Sequence, residues 1–240
     1  MAEWFSQLAA GFMSWWTGFQ LEFYQNFIQD DRYMWLIDGI GVTLKVSVLS
    51  ALLGVVIGLL AAIAILSNSR FLRTIARWYT DFIRGTPTVI QLLIMYFVIF
   101  GSSRLDQWII ASFAFAINSG AYVTEIIRAG ILSVDHGQME AGRSLGLSKA
   151  QTMTRIIIPQ AVKNILPALV NEFIVLIKET AIVGYIGLSD LTKAADFIRS
   201  RTYSAFMPLV GTAIIYFLII KILTKLFGLL ERRMRKSDIR

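Results

Sequence analysis

The sequence predicts an all-α membrane protein with five transmembrane helices, on three observations. Of its 240 residues 56% are hydrophobic and only 16% charged. A soluble domain is about a quarter charged, so lipid rather than water has to cover much of the surface. Long apolar runs recur, the clearest being Val46 to Leu66, VSVLSALLGVVIGLLAAIAIL, which carries no charge. Lysine and arginine gather in alternate segments between those runs, the charge asymmetry of a multi-pass protein.

Taken in order, the first segment is 1–32. It begins MAEWFSQLAA, with an acid where a signal peptide has a cationic region. Phe5, Leu8, Phe12, Trp15, Phe19, Phe23 and Phe27 recur at three- and four-residue steps, opposite Glu3, Gln7, Ser14, Gln20 and Gln25. This spacing predicts an amphipathic helix lying in the membrane interface. Its polar face lacks bases, which leaves another protein surface as the alternative support.

The first span is 33–66, with Asp38 and Lys45 toward its wet end. Its charge-free stretch is roughly 32 Å long at 1.5 Å per residue, enough to cross. The second span is 83–101, opened by RGTP, where Pro87 suits a first helical turn and Arg84 suits an interfacial anchor. The third is 107–127. The fourth is 165–188, weakened by Glu172, Lys178 and Glu179. The fifth is 203–227, and a basic tail, 231–240, follows as a stop.

The loop after the first span holds Arg70, Arg73, Arg77 and Arg84 against Asp81. The loop after the third holds Arg128, Arg143, Lys149, Arg155 and Lys163, and the tail holds Arg232, Arg233, Arg235, Lys236 and Arg240. The first 45 residues hold only Arg32 and Lys45 against five acids. The expectation is an N-terminus outside and a C-terminus in the cytoplasm of a bacterial inner membrane. The net charge of +7 is then topology, and no nucleic-acid partner is expected. Without cysteine, and with His136 alone, neither a disulfide framework nor a His/Cys metal cluster can form.

Between the third and fourth spans lies EAGRSLGLSKAQTMTRIIIP, residues 140–159. It is small, polar and glycine-bearing. Ser148 can cap a helix starting at Lys149, giving a helix, a glycine turn at Gly146 and a second helix. An ordinary connection is the plainer reading, but connections between spans are usually short. The loop 133–159 is long and carries structure of its own, which suits a docking site. Ala141, Gly142 and Gly146 would let another surface approach closely, and Glu140 offers a carboxylate to a basic partner.

The pattern Glu140-Ala141-Gly142, then Gly146, Ile156 and Ile158-Pro159, resembles the EAA signature of ABC importer permeases. Gly142 stands where that family usually has alanine, and Ile158 where it usually has leucine. RGTPTVIQLLIMYF at 84–97, GAYVTEIIRAGI at 120–131 and QAVKNILPALVNEFIVLIKETAIVGYIG at 160–187 are similar to the polar-amino-acid members. The resemblance implies a type I ABC importer permease fold over 33–230, with a cytoplasmic coupling helix seated in an ATPase groove. By position, Glu140, Ala141, Gly142 and Gly146 become the coupling residues. The implied partners are two ATP-binding subunits carrying ATP and Mg, a second permease chain, the same or related, and an extracytoplasmic solute-binding protein. The residues agree on one point: the chain has no GxxxxGK[ST] phosphate loop, so ATP would be bound by another polypeptide and this chain is not expected to be an enzyme.

Ionisable groups inside a span mark a pathway or an internal pair. Asn118, Tyr122 and Glu125 share one helical face, while Asn171 with Lys178 and Glu172 with Glu179 repeat at seven residues on neighbouring faces. These seven are the candidate substrate path or gate. Glu125 can instead pair with Arg128, Lys178 can neutralise a neighbouring acid, and Asn118 can serve as interhelical glue. Glu125 and Glu172 are expected near the cytoplasmic end, and Lys178 and Glu179 nearer the middle. The alternative function is an ion-coupled secondary transporter acting without an ATPase.

Overall fold

In the computed structural model, which describes residues 2–235, ten α-helices follow one another among the described residues. They are α1 (Ala2–Phe23), α2 (Tyr33–Leu66), α3 (Arg70–Arg84), α4 (Thr88–Leu93, running on through a π-turn at Ile94–Ile99) and α5 (Gln107–Leu132). Then come α6 (His136–Ser144), α7 (Lys149–Thr152), α8 (Ile158–Glu179), α9 (Leu191–Thr202) and α10 (Phe206–Arg235).

A seam of small residues sets the architecture. Ser50, Gly54, Gly58 and Ala62 repeat every four residues along one face of α2, and all four are buried. Ser50 Oγ donates to the Ser112 carbonyl at 3.1 Å. A Cβ on Gly54 would lie 3.3 Å from Ser119, and one on Gly58 would lie 2.5 Å from Val123. Small residues let helix backbones meet where lipid offers no hydrophobic drive. The partners advance in step, so α2 and α5 run parallel. Two parallel helices joined by residues 67–106 require a return crossing between them.

The return is a broken span. α3 and the helix Thr88–Ile99 are bent by 106° at 85–87. The arginines read as a loop after the first span stand instead on a helix, capped by Ser69, whose Oγ accepts from the Leu72 N–H. Its other side chains Phe71, Leu72, Ile75, Trp78 and Phe82 are exposed and apolar. The expected second span, 83–101, therefore begins earlier and is not one helix.

α8 runs antiparallel to α5: Ser119 meets Glu172, and Gly130 packs against Ile165. α2, α5 and α10 are each long and apolar enough to cross a bilayer by themselves. The bent pair and the charge-bearing α8 complete a five-span fold. The expected fourth span is displaced, since helix already begins at Ile158 and tightens to a 3₁₀ turn at Thr180–Ile186. The loop expected after it is largely α9, whose Leu191, Ala194, Ala195 and Ile198 are buried against the start of α2.

At that same end, Phe27 covers Gly211 of α10, and Asn26 accepts from Thr202 Oγ1 at 2.8 Å. The amphipathic segment forms α1, a helix with Phe12, Trp15 and Phe19 laddered at 5.8 to 6.0 Å and Trp15 and Trp16 exposed. The side chains of Glu3, Phe5 and Leu8, and the tail's Arg232, Arg233, Arg235, Lys236 and Arg240, lie outside the described residues. Residues 133–157 cap the opposite end of the bundle from α9.

Candidate functional site

The loop between α5 and α8 is a folded elbow. Asp135 caps α6 by accepting from the Gly137 N–H. The helix ends where Leu147 N–H reaches back to the Gly142 carbonyl at 3.1 Å, and Gly146 sits at φ +85°. A side chain there would strain the backbone, so glycine ends the helix. Ser148 and Gln151 then form a capping box for α7, each side chain bonded to the other's backbone N–H.

Glu140, Ala141 and Gly146 are exposed on this elbow. Gly142 is not: a Cβ there would fall 2.5 Å from Thr152 Cγ2. Among the four residues expected to couple to a partner, Gly142 is the one that lets α6 close on α7. Sequence reasoning missed Leu145, which is 82% exposed at the tip. An aliphatic side chain beside a turn glycine was the available signal.

The membrane groups separate into three sets. Asn118 is buried and its Nδ2 donates to Gln91 Oε1 at 2.9 Å. Gln91 Nε2 in turn donates to the carbonyls of Ile83 and Thr86 and to Thr86 Oγ1. The helix break frees those carbonyls at membrane depth, where an unsatisfied backbone group is costly. Asn118 and Gln91 therefore fasten the broken span to α5. Gln91 was overlooked because the position of the break was.

Glu125 is held by Arg128 in a forked pair, with contacts of 2.6 and 3.1 Å to Oε2. This is the internal pair that the sequence offered as the alternative. Tyr122 lies under Arg84, whose guanidinium carbon is 5.3 Å from the ring centre. The face 118, 122, 125 thus meets Gln91, Arg84 and Arg128 in turn.

Glu172 accepts from Ser119 Oγ at 2.9 Å and is half-buried. Ser119 is level with Gly54, well inside α2, so Glu172 stands near mid-depth and not near the end where it was expected. Lys178 and Glu179 end α8, further toward the α9 side. Asn171 and Lys178 are exposed, and Lys178 makes no ion pair with either acid.

A cleft of about 580 Å³ opens between α5 and α8, from Glu125 and Ile126 down past Ala129 and Gly130 to Ser133 and Asn164. Asn164 Nδ2 donates to Ser133 Oγ at 3.0 Å at its mouth, beside the elbow. The wall of the cleft is mostly apolar, with Glu125, Ser133 and Asn164 as its polar groups.

Residues 54–236 match the family described as the binding-protein-dependent transport system inner membrane component. The chain is 41% identical over 205 residues to an arginine transport system permease protein of Bacillus subtilis, covering 85% of this chain and 94% of that one. It is 37% identical over 203 residues to a glutamine transport system permease protein of Escherichia coli, covering 83% and 93%. A crystal structure of an amino acid ABC transporter with histidines superposes with a TM-score of 0.80 at 47% identity, over 86% and 98% of the two chains. An inward-facing methionine ABC transporter shares the fold, with a TM-score of 0.71 at 18% identity over 86% and 99%.

Proposed function

We propose, from the premise that this chain belongs to the family of binding-protein-dependent transport system inner membrane components, that it is the permease subunit of an ATP-driven importer of a polar amino acid. The observation that carries the proposal is the elbow at 136–152. It is locked by its own caps, held off the bundle at one end, and presents Glu140, Ala141, Leu145 and Gly146 to whatever sits below.

A rigid elbow transmits force, and an unstructured loop would not. ATP binding to two partner ATPases, which carry the ATP and Mg, closes them. Their grooves drag the elbow, and α5 and α8, which flank it in the chain, rock to open the path to the other side. Five spans make a poor enclosure, so a second permease chain completes the channel. An extracytoplasmic binding protein delivers the solute. The amino-acid assignment is supported by the glutamine- and arginine-transport relatives. The orientation rests on charge: the elbow end carries Arg143, Lys149 and Arg155 and is cytoplasmic, while the acid-rich first 31 residues are outside.

The test is uptake of labelled glutamine or arginine into proteoliposomes holding the chain with its ATPase and binding protein. Uptake is expected with ATP on the elbow side and absent without it. Uptake by this chain alone under a proton gradient, with Glu172 and Glu179 as the relay, would defeat the proposal in favour of a secondary transporter.

A further inference from the structure

Between α2 and α9, at the end of the bundle away from the elbow, lies a cavity of about 370 Å³. Trp35 and Asp38, one turn apart on α2, form one wall. Ala194, Phe197 and Arg201 follow at i, i+3 and i+7 along α9 and form the other, with Ser189 just before that helix. The wall is mostly apolar, and its polar groups are Asp38, Ser189 and Arg201.

The frame of the cavity is fixed by packing. A Cβ on Gly39, next to Asp38, would lie 2.8 Å from the Leu191 backbone. The Leu191 N–H donates to Thr43 Oγ1 at 3.3 Å, and Asp190 caps α9. Trp35 packs on the cluster that holds Leu191, Ala194, Ala195 and Ile198.

The charges on α9 divide by face. Lys193 and Arg199 share Asp196, and these three line a different cleft. Among the described residues, Arg201 has no carboxylate partner, Asp38 has no base and the Ser189 hydroxyl has no hydrogen bond. An acid and a base thus line one cavity, and no ion pair joins them. A base in the last turn of α9 suits the helix dipole, but Arg199 stands in the same turn. Plain solvation accounts for either charge alone. It does not account for opposite charges held apart in one aromatic-walled cavity.

We propose that this cavity binds a zwitterion, its ammonium held by Asp38 against the Trp35 and Phe197 rings and its oxyanion on the Arg201 fork. An ammonium is attracted to the face of an indole or phenyl ring. A guanidinium binds a carboxylate or a phosphate through parallel hydrogen bonds. A free amino acid carries both groups, and so does the headgroup of phosphatidylethanolamine. The site uses only the packing of α2 on α9, so it stands or falls separately from the importer reading.

The experiment titrates the purified, delipidated permease–ATPase complex and reads its melting temperature, since a ligand of the folded state raises it. The probes are L-glutamine, dihexanoyl phosphatidylethanolamine and dihexanoyl phosphatidylglycerol, the last an anion without the ammonium. A zwitterion is expected to raise the melting temperature where phosphatidylglycerol does not, and which of the two acts identifies the source. Asp38→Asn and Arg201→Gln are each expected to raise its half-saturating concentration about tenfold. Both residues are exposed, so both variants are expected to fold, and should one fail to assemble the other decides.

The proposal is overturned if neither zwitterion acts, or if phosphatidylglycerol acts equally. It is also overturned if the variants keep the wild-type half-saturation, which would place the bound zwitterion elsewhere in the molecule. A loss of melting temperature in Asp38→Asn without any ligand, with no response to ligand in the wild type, would mean that Asp38 and Arg201 pair with each other, and the site falls.

Discussion

Gly146 shows what a single residue settles in this chain. Its φ of +85° lies where a side chain is strained, and the turn it allows holds Leu145 and Glu140 outward. Gly146→Asp adds that strain and an acid at the elbow tip, so uptake should fall while the protein stays in the membrane. Membrane content and ATP-driven uptake measured together check this, and normal uptake would remove the elbow from the mechanism. Gly142, in the same motif, lets α6 close on α7. Its identity as glycine was legible, but its burial under Thr152 was not, because that contact joins two helices across a turn. Asp190 is a second residue-scale case. It caps α9 through the Thr192 and Lys193 N–H groups, and complete burial pushes its carboxyl above the usual carboxylate range despite those bonds. A group raised in the folded state contributes stability that is full below the unfolded value, about pH 4, and lost as pH rises through the elevated one. Asp190→Asn keeps an acceptor for the cap and removes the titration. Its melting temperature should therefore vary less than that of the wild type between pH 4 and 8, and an unchanged slope would contradict the assignment.

At the scale of elements, apolar length made α2, α5 and α10 legible as crossing helices, because a bilayer demands about 20 apolar residues of any helix that crosses it. α3 escaped because its arginines read as a wet loop. Arg70, Arg73, Arg77 and Arg84 fall on one helical face with aromatic residues opposite, and a charge count along the chain cannot see that arrangement. The break at 85–87 depends on Gln91, which supplies donors to Ile83 and Thr86. Gln91→Leu removes the Thr86 carbonyl's donor and leaves Asn118 and the Ile83 carbonyl only the long contacts to the Thr88 and Thr86 hydroxyls, at about 1–3 kcal/mol for a buried group left unmet. The purified complex should melt measurably lower, and an unchanged melting temperature would mean that water or another side chain already holds the break.

For the whole molecule, the parallel pairing of α2 with α5 and the antiparallel pairing of α5 with α8 put the elbow and α9 at opposite ends, and family membership makes the chain a multi-pass inner membrane component and not an enzyme. The chain has no cysteine, so single cysteines report sidedness without background. A membrane-impermeant thiol reagent should label Ser200→Cys from outside and Ser144→Cys only after access to the cytoplasmic face. Labelling of both from one side would overturn the topology. The sequence by itself determined the membrane class, the number of crossings and the elbow, since each follows from hydropathy, charge placement or local turn chemistry that neighbouring residues carry. Only the tertiary structure decided which polar groups are spent on holding helices together. Asn118, Glu125 and Glu172 look equivalent along the chain, and they differ only through Gln91, Arg128 and Ser119, brought to them by helix packing that no local pattern encodes.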